Sequence, residues 1–166
     1  MARSEVKVEE SIFINLAKEK LWDITALQFD KIGAWSAGVL DSKGYGTGLN
    51  GAICKERRCV PSYKGFNETI ERIIDYQPGH YHFTYQIVAG LPKMVTNATN
   101  QWIHTDEASG TRITMKISMK LSGLMGKLMK GLLKKKMGKI LRQNLEELKV
   151  YAETGEMHQR KKKLNK

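Results

Sequence analysis

Cysteine is scarce: Cys54 and Cys59 are the only two in 166 residues, five apart in GAICKERRCV. That stretch reads as a strand, and an odd separation sends the two side chains to opposite faces of an extended chain. This excludes a disulfide within the strand and places a metal pair no better. Both read as free thiols. Long apolar runs are missing too. The first thirty residues carry Glu5, Glu9, Glu10, Lys18, Glu19, Lys20 and Asp23, so no apolar core of a secretory signal stands there. Nowhere does the chain approach the roughly 20 apolar residues that span a bilayer. The expectation is a cytoplasmic protein in which the sequons at Asn67 and Asn97 are accidental. Acidic residues become rare late in the chain. Residues 1–119 hold 14 Lys/Arg against 13 Asp/Glu, whereas residues 120–166 hold 14 against 4, so nearly all of the formal charge of +11 is C-terminal. A basic face without interleaved aromatics disfavours nucleic acid as a partner and leaves a weak contact with anionic membrane.

What is present fits one globular domain. A chain of this length with 41% hydrophobic residues can bury a sizeable core. VKVEESIFI reads as a first strand. AKEKLWDITAL then places Leu21, Trp22, Ile24 and Leu27 near helical spacing, and FDKIGAWSAGVL reads as a second short helix ending near Gly38. Five extended runs follow: GAICKERRCV, FNETIERIIDY, HYHFTYQIV, TNATNQWIHT and TRITMKISMKL, separated by turns such as Gln77-Pro78-Gly79 and Gly90-Leu91-Pro92. In the last run Ile113, Met115, Ile117 and Met119 alternate with Thr114, Lys116, Ser118 and Lys120. In HYHFTYQIV, Tyr81, Phe83, Tyr85 and Ile87 alternate with His82, Thr84 and Gln86. An antiparallel sheet with one apolar and one wet face is implied, and something long must cover the apolar face.

GLMGKLMKGLLKKKMGKIL and the residues after it are that cover. Met129, Leu133, Met137, Ile140, Asn144, Leu148 and Tyr151 share one helical stripe, with Lys127, Lys130 and Lys134 on the solvent side. Leu124, Met125, Leu128 and Leu132 widen the apolar arc in the first half beyond what one sheet contact requires. That surplus can face a membrane, a protein partner or a cavity between helix and sheet. Met115 and Met119 on the neighbouring strand suit the last, and the expectation is an adaptable apolar cavity of roughly 300 to 1,000 Å³ there. The final HQRKKKLNK reads as a disordered basic tail, residues 158–166, beyond a domain of residues 1–157.

This order of elements is that of an α+β helix-grip fold, a curved antiparallel sheet wrapped around a long C-terminal helix with two short helices after the first strand. Several pieces carry a resemblance to the SRPBCC superfamily (START-like, including polyketide cyclase/dehydrase and lipid-transport families). They are Leu21-Trp22, the helix end at Trp35, Arg57-Arg58-Cys59, GFNETI from Gly65, Pro92, GTRITM from Gly110, GLMGKLM from Gly123 and LEELKVYAETGE from Leu145. In register they cover about residues 4–157. The resemblance implies a deep, mostly apolar cavity that holds a hydrophobic or amphipathic small molecule, and it implies no particular reaction.

Within that cavity the resemblance pairs Arg57 with Glu68, a carboxylate beside a guanidinium that could orient a ligand or, with a displaced pKa, move a proton. Trp35, Tyr85, Trp102, Met115, Met119, Met125, Leu128 and Leu132 are the expected apolar lining. His80, His82, His104 and His158 lack metal-ligand spacing and read as polar sheet surface, so neither a metal nor an organic cofactor is expected. GYGTGLNG, from Gly44 to Gly51, is glycine-rich without the strand-to-helix context of a phosphate loop and reads as a connection beside the cavity mouth. The leading expectation is binding or carriage of a lipid- or polyketide-like small molecule. The alternatives are a cyclase or dehydratase using Arg57 and Glu68, and a module recruited to anionic membrane or nucleic acid by its basic C-terminal segment.

Overall fold

Seven strands follow the alternation of the sequence into one antiparallel sheet. They are β1 (Ser4–Ile14), β2 (Val39–Tyr45), β3 (Glu56–Pro61), β4 (Thr69–Gln77), β5 (His82–Ala89), β6 (Val95–Glu107) and β7 (Gly110–Leu121). Their spatial order is β1-β7-β6-β5-β4-β3-β2. This is the architecture in a computed structural model that describes residues 4–165. Every strand from β2 to β7 pairs with the strand next to it in sequence, and β1 closes onto β7 with Ile12 opposite Ile113 and Val6 opposite Met119. Strand β2, VLDSKGY, lies in a stretch whose sequence reads partly as helix and partly as glycine-rich connection. Its burial shows no clean alternation, which hides the period of two that marks a strand.

Between β1 and β2 the chain runs through α1 (Lys18–Trp22), a π-helical turn (Asp23–Leu27) and a 3₁₀ segment (Phe29–Ala34). Leu21, Trp22, Ala26 and Phe29 are buried and seal one end of the sheet. Trp22 packs edge-on against Phe83 and His104, with ring centroids 5.9 and 5.3 Å apart. The sequence reading put His104 on the polar surface; it is instead part of this aromatic core, 4% exposed. Its phase on β6 explains the difference, because Ala98, Asn100, Trp102 and His104 form one inward-facing row.

The long helix α2 (Gly123–Thr154) spans 32 residues, about 48 Å at 1.5 Å per residue. Leu141, Leu145 and Leu148 are buried against the sheet, and Leu133, Met137 and Ile140 are half-buried further towards the N-terminus. Full burial of each such leucine stabilises the fold by about 1.5–3 kcal/mol. Gly126 permits close approach, since a Cβ there would lie 2.9 Å from the Leu121 side chain. Gly155, at φ +72°, ends the helix in the left-handed conformation with its N–H on the Tyr151 carbonyl. Among the described residues no helix is long and apolar enough to cross a membrane.

Residues 158–165 correct the expectation of a disordered tail. After Gly155 the chain reverses into α3 (Gln159–Leu164), capped by His158 Nδ1, which accepts from the Arg160 N–H. Arg160 donates to Glu147 Oε1 at 2.7 Å, Glu146 Oε2 at 2.8 Å and the Gln143 carbonyl at 3.0 Å. Lys161, 3% exposed, donates to the Val39 carbonyl at 2.6 Å. Composition treats the basic tail as isolated, whereas Glu146 and Glu147 on α2 supply its counter-charges. Glu147 is itself buried and accepts a second bond from the Ala37 N–H at 2.8 Å.

Two predictions follow from this packing. Arg160→Ala leaves the buried Glu147 carboxylate without its cation and lowers stability by about 1–3 kcal/mol. Deleting residues 158–166 lowers it at least as far. Urea unfolding of both variants measures this, and midpoints equal to that of the parent chain contradict the docked segment. The second concerns His104, whose Nδ1 lies 2.9 Å from the Tyr81 carbonyl and whose Nε2 lies 2.7 Å from the Thr25 hydroxyl. The carbonyl can only accept, so Nδ1 carries the proton. Nε2 of the neutral ring is then an acceptor and competes with the Leu21 carbonyl, 2.9 Å from the same Thr25 oxygen, for its single hydroxyl proton. Burial pushes the imidazole pKa down from 6.5 to about 4. The folded state therefore binds the proton less well than the unfolded chain, and its contribution of about 3 kcal/mol is complete above the ordinary value and lost as pH falls. Unfolding free energies should drop between pH 6.5 and about 4, and His104→Gln should remove that part of the slope. An identical slope in the variant contradicts the assignment.

Candidate functional site

Between the inner face of the sheet and α2 lie two adjoining cavities, an outer and a deep lobe, that share Tyr85, Asn100 and Ile117 as lining. The outer lobe, about 350 Å³, is walled mainly by Phe66, Ile87, Leu91, Val95, Met119 and Met137. The loops after β3 and β5 bring Phe66 and Leu91 to it, while Leu133, Lys136 and Met137 come from α2. The deep lobe, about 140 Å³, is lined by Arg57, Glu71, Asn100, Trp102, Met115 and Asn144 among others. A larger concavity of about 430 Å³ lies on the opposite face of the sheet between Lys7, Glu9, Thr84, Gln101 and Lys116. That groove belongs to the wet face, where charged and hydroxyl side chains alternate outward.

The deep lobe is built around a buried ion pair. Arg57 and Glu71 are cross-strand neighbours on β3 and β4, 3% and 8% exposed. Arg57 Nε and Nη2 reach Glu71 Oε2 at 2.7 and 2.6 Å, and Nη1 donates to the Phe29 carbonyl at 2.6 Å. The guanidinium also lies over the Phe29 ring at 3.9 Å and over the Tyr85 ring at 5.0 Å. Burial opposes its charge, but Glu71 beside it outweighs that cost and holds the pKa above the ordinary arginine value. Burial, reinforced by the Glu71 charge, pushes the Tyr85 phenol up, so its hydroxyl keeps its proton. That oxygen accepts from Asn100 Nδ2 at 3.0 Å.

Three buried polar atoms on the lining have no hydrogen-bond partner among the described residues: Asn100 Oδ1, Trp102 Nε1 and Asn144 Oδ1. They present two acceptors and one donor beside Arg57, each of whose three nitrogens already bonds Glu71 or the Phe29 carbonyl. Both carboxylates of the lobe are paired, Glu71 through Oε2 with Arg57, and Glu147 through Oε1 with Arg160 and Oε2 with the Ala37 N–H. Both thiols are buried. Burial pushes the Cys59 pKa up to about 12, which leaves no thiolate nucleophile near neutral pH.

The expected pair of Arg57 with Glu68 is corrected by this geometry. Glu68 lies in the loop before β4, is exposed, and binds Arg58 at 2.5 Å. Its place is taken by Glu71, which shares the inward phase of Ile73, while Arg72 and Ile74 face out. Register irregularities between Ile70 and Glu71 and between Ile73 and Asp75 make Tyr76 the next inward residue, which blurs the alternation of ETIERII. Met115 and Trp102 line the deep lobe, Met119 the outer lobe and Tyr85 both. Trp35 is buried but lines neither lobe. Met125, Leu128 and Leu132 also depart from expectation: with Leu124 they are 58%, 70%, 58% and 73% exposed and point away from the cavity. The apolar arc of α2 is wider than the sheet contact, and its surplus faces outward. Asn100 and Asn144 were missed as site residues, although an asparagine within an otherwise apolar inward row is the available signal.

Arg57→Ala strands the buried Glu71 carboxylate and should cost about 3–5 kcal/mol. Glu68→Ala removes an exposed, solvent-screened ion pair and should leave stability nearly unchanged. Urea denaturation of the two variants measures the difference, and equal losses contradict the assignment of the buried partner.

Comparison with known proteins agrees with this architecture. Residues 5–153 match the family described as polyketide cyclase / dehydrase and lipid transport. Among solved structures, the Zhui aromatase/cyclase from a Streptomyces species superposes with a TM-score of 0.74 at 11% identity, covering 90% of this chain and 94% of that one. A point mutant of norcoclaurine synthase from Thalictrum flavum, in complex with a transition-state analogue, gives 0.72 at 12% identity, covering 92% and 96%. Ara h 8.0201 gives 0.62 at 14%, covering 87% and 98%. At these identities the likeness is one of fold. No curated protein matches the chain in sequence. With the family match spanning most of its length and the helix-grip architecture in place, the chain belongs to the polyketide cyclase/dehydrase and lipid-transport family of the SRPBCC superfamily.

Proposed function

We propose that the protein binds a hydrophobic small molecule with one polar end, apolar body in the outer lobe and polar end in the deep lobe. The observation that carries this reading is the trio of buried, unpartnered atoms, Asn100 Oδ1, Trp102 Nε1 and Asn144 Oδ1, next to a chamber walled by aliphatic, aromatic and methionine side chains. An unpaired buried polar atom costs about 1–3 kcal/mol, so a hydroxyl that accepts from Trp102 and donates to an asparagine offsets a cost already built into the fold. The apolar body gains by leaving water, and Met119 and Met137 adapt to its outline. The family's association with cyclases and lipid carriers and the neighbours' titles, an aromatase/cyclase and a synthase with its transition-state analogue, support a small-molecule site in this fold.

Turnover by acid or base catalysis would require a free carboxylate, imidazole or thiolate against the ligand. Both carboxylates of the lining are held in ion pairs, and the Arg57 guanidinium, which cannot give up its proton, is anchored on Glu71 and the Phe29 carbonyl. This supports binding or carriage over a cyclase or dehydratase using Arg57 and Glu68.

Naphthol, two fused apolar rings bearing one hydroxyl, and naphthalene, which lacks it, separate the two halves of the reading in calorimetric titration. The parent chain should bind naphthol more tightly. Trp102→Phe should weaken naphthol about tenfold and leave naphthalene nearly unchanged, since it removes one donor worth about 1–3 kcal/mol. Ala98→Phe, at a buried outer-lobe position, should weaken both. Equal affinities across all three proteins would overturn the proposed site.

A further inference from the structure

The outward face of α2 does not need to be apolar to fold, yet it is. Leu124, Met125, Leu128 and Leu132 are 73%, 58%, 70% and 58% exposed. At about 100° per residue, Leu124, Leu128, Leu132 and Met125 fall within about 100° of arc, and at 1.5 Å per residue the ridge runs about 12 Å. Lys135 and Lys139 continue the line of Leu124 and Leu128 along the helix, and Lys127, Lys134 and Lys136 lie to its sides. From Leu121 to Leu145 the sequence holds six lysines and one arginine and no acidic residue. Arg142 pairs with Glu10, whereas no carboxylate among the described residues pairs with Lys127, Lys130, Lys134, Lys135, Lys136 or Lys139. All six face solvent.

We propose that this ridge of Leu124, Met125, Leu128 and Leu132, set among five unpaired lysines, Lys127, Lys134, Lys135, Lys136 and Lys139, docks the protein on an anionic lipid bilayer, with the leucines among the acyl chains and the lysines at the headgroups. Charge complementarity selects the occupant. A protein surface would have to supply a dense acidic rim around an apolar strip, whereas an anionic bilayer supplies both chemistries in one plane. A nucleic acid would satisfy the lysines and leave the leucines in water. The lysine stems are long enough to lie along the helix while their ammonium groups stay at the polar boundary.

The site reading gives the docking surface a neighbour. Leu133, Lys136 and Met137, one residue round the helix from the ridge, line the outer lobe together with Phe66, Leu91 and Pro92 from the adjoining loops. Lys136 belongs to both, with its ammonium 4.5 Å from the Phe66 ring centroid. A bilayer seated on the ridge therefore lies beside the rim of the apolar lobe. The docking itself rests on exposure and charge, independent of what the cavity holds.

Co-sedimentation with vesicles tests it, using the full chain, phosphatidylcholine alone, and phosphatidylcholine mixed with phosphatidylserine. Mixed vesicles should bind the protein and release it as salt rises, because screening shortens the reach of the lysines. Pure phosphatidylcholine should bind at least tenfold more weakly. Leu124→Gln/Leu128→Gln, at exposed positions that leave the circular dichroism spectrum intact, should weaken binding to mixed vesicles at least tenfold. Lys134→Gln/Lys135→Gln should weaken it about twenty-fivefold, at roughly fivefold per lysine. Naphthol affinity should be the same in both variants as in the parent chain, which separates failure of docking from failure of the cavity site. Four outcomes would overturn the proposal: no binding to mixed vesicles at low salt, binding indifferent to the leucine substitutions, tighter binding to a DNA duplex than to the vesicles, or a solution dimer that the leucine substitutions dissolve.

Discussion

Arg57 carries a charge it cannot lose and sits almost wholly out of water, so the structure around it is obliged to neutralise it. Glu71 opposite it on β4, the Phe29 carbonyl from the 3₁₀ segment and the faces of Phe29 and Tyr85 together meet that obligation. The pair ties strands β3 and β4 to the segment that precedes β2. It also fixes Tyr85, and through the Tyr85 hydroxyl it orients Asn100. The floor of the deep lobe thus follows from one buried charge. A second buried carboxylate, Glu147, does similar service at the other side of the lobe, joining α2 to Ala37 and, through Arg160, to α3. Such pairs do not necessarily add net stability relative to an apolar core. Here they hold polar groups in fixed positions beside an apolar chamber.

Much of this was legible in the sequence because it rests on periodicity. The row Ile113, Met115, Ile117, Met119 faces the helix as its alternation implies, and Leu133, Met137, Ile140 and Leu148 face the sheet. Where two signals overlap, the sequence misleads. Glu68 and Glu71 are both acidic residues near Ile70, and only the register of β4 decides which turns inward. Leu124, Met125, Leu128 and Leu132 are apolar residues on a helix that covers a cavity, and only the rotation of that helix shows that they turn away from it. His104 and the basic tail were misplaced for a shared reason: their partners, Thr25 and the Tyr81 carbonyl for one, Glu146 and Glu147 for the other, come from distant parts of the chain. Composition counts charges and does not see who meets them.

The two faces of α2 divide the chemistry of the protein between them. Its inner side gives Leu133 and Met137 to the outer lobe and Asn144 to the deep lobe. Its outer side presents leucine and lysine to the surroundings. An apolar molecule leaving a bilayer needs a short path that stays away from water, and a helix that carries a lipid-compatible ridge and a chamber wall within one turn of each other provides the elements of one. The unpartnered polar atoms of the deep lobe would give a molecule bound as proposed a fixed orientation, because a hydroxyl has partners there and few in the outer lobe.

The central claim is that the polar end of a ligand meets Trp102 in the deep lobe. The chain has three tryptophans, and Trp22, Trp35 and Trp102 give three indole N–H cross-peaks in a ¹⁵N–¹H spectrum. Titration with naphthol should move the Trp102 indole peak in proportion to occupancy while those of Trp22 and Trp35, which line neither lobe, stay near their starting positions. A Trp102 indole peak that does not move at saturation, or that moves no further than the other two, would contradict the account.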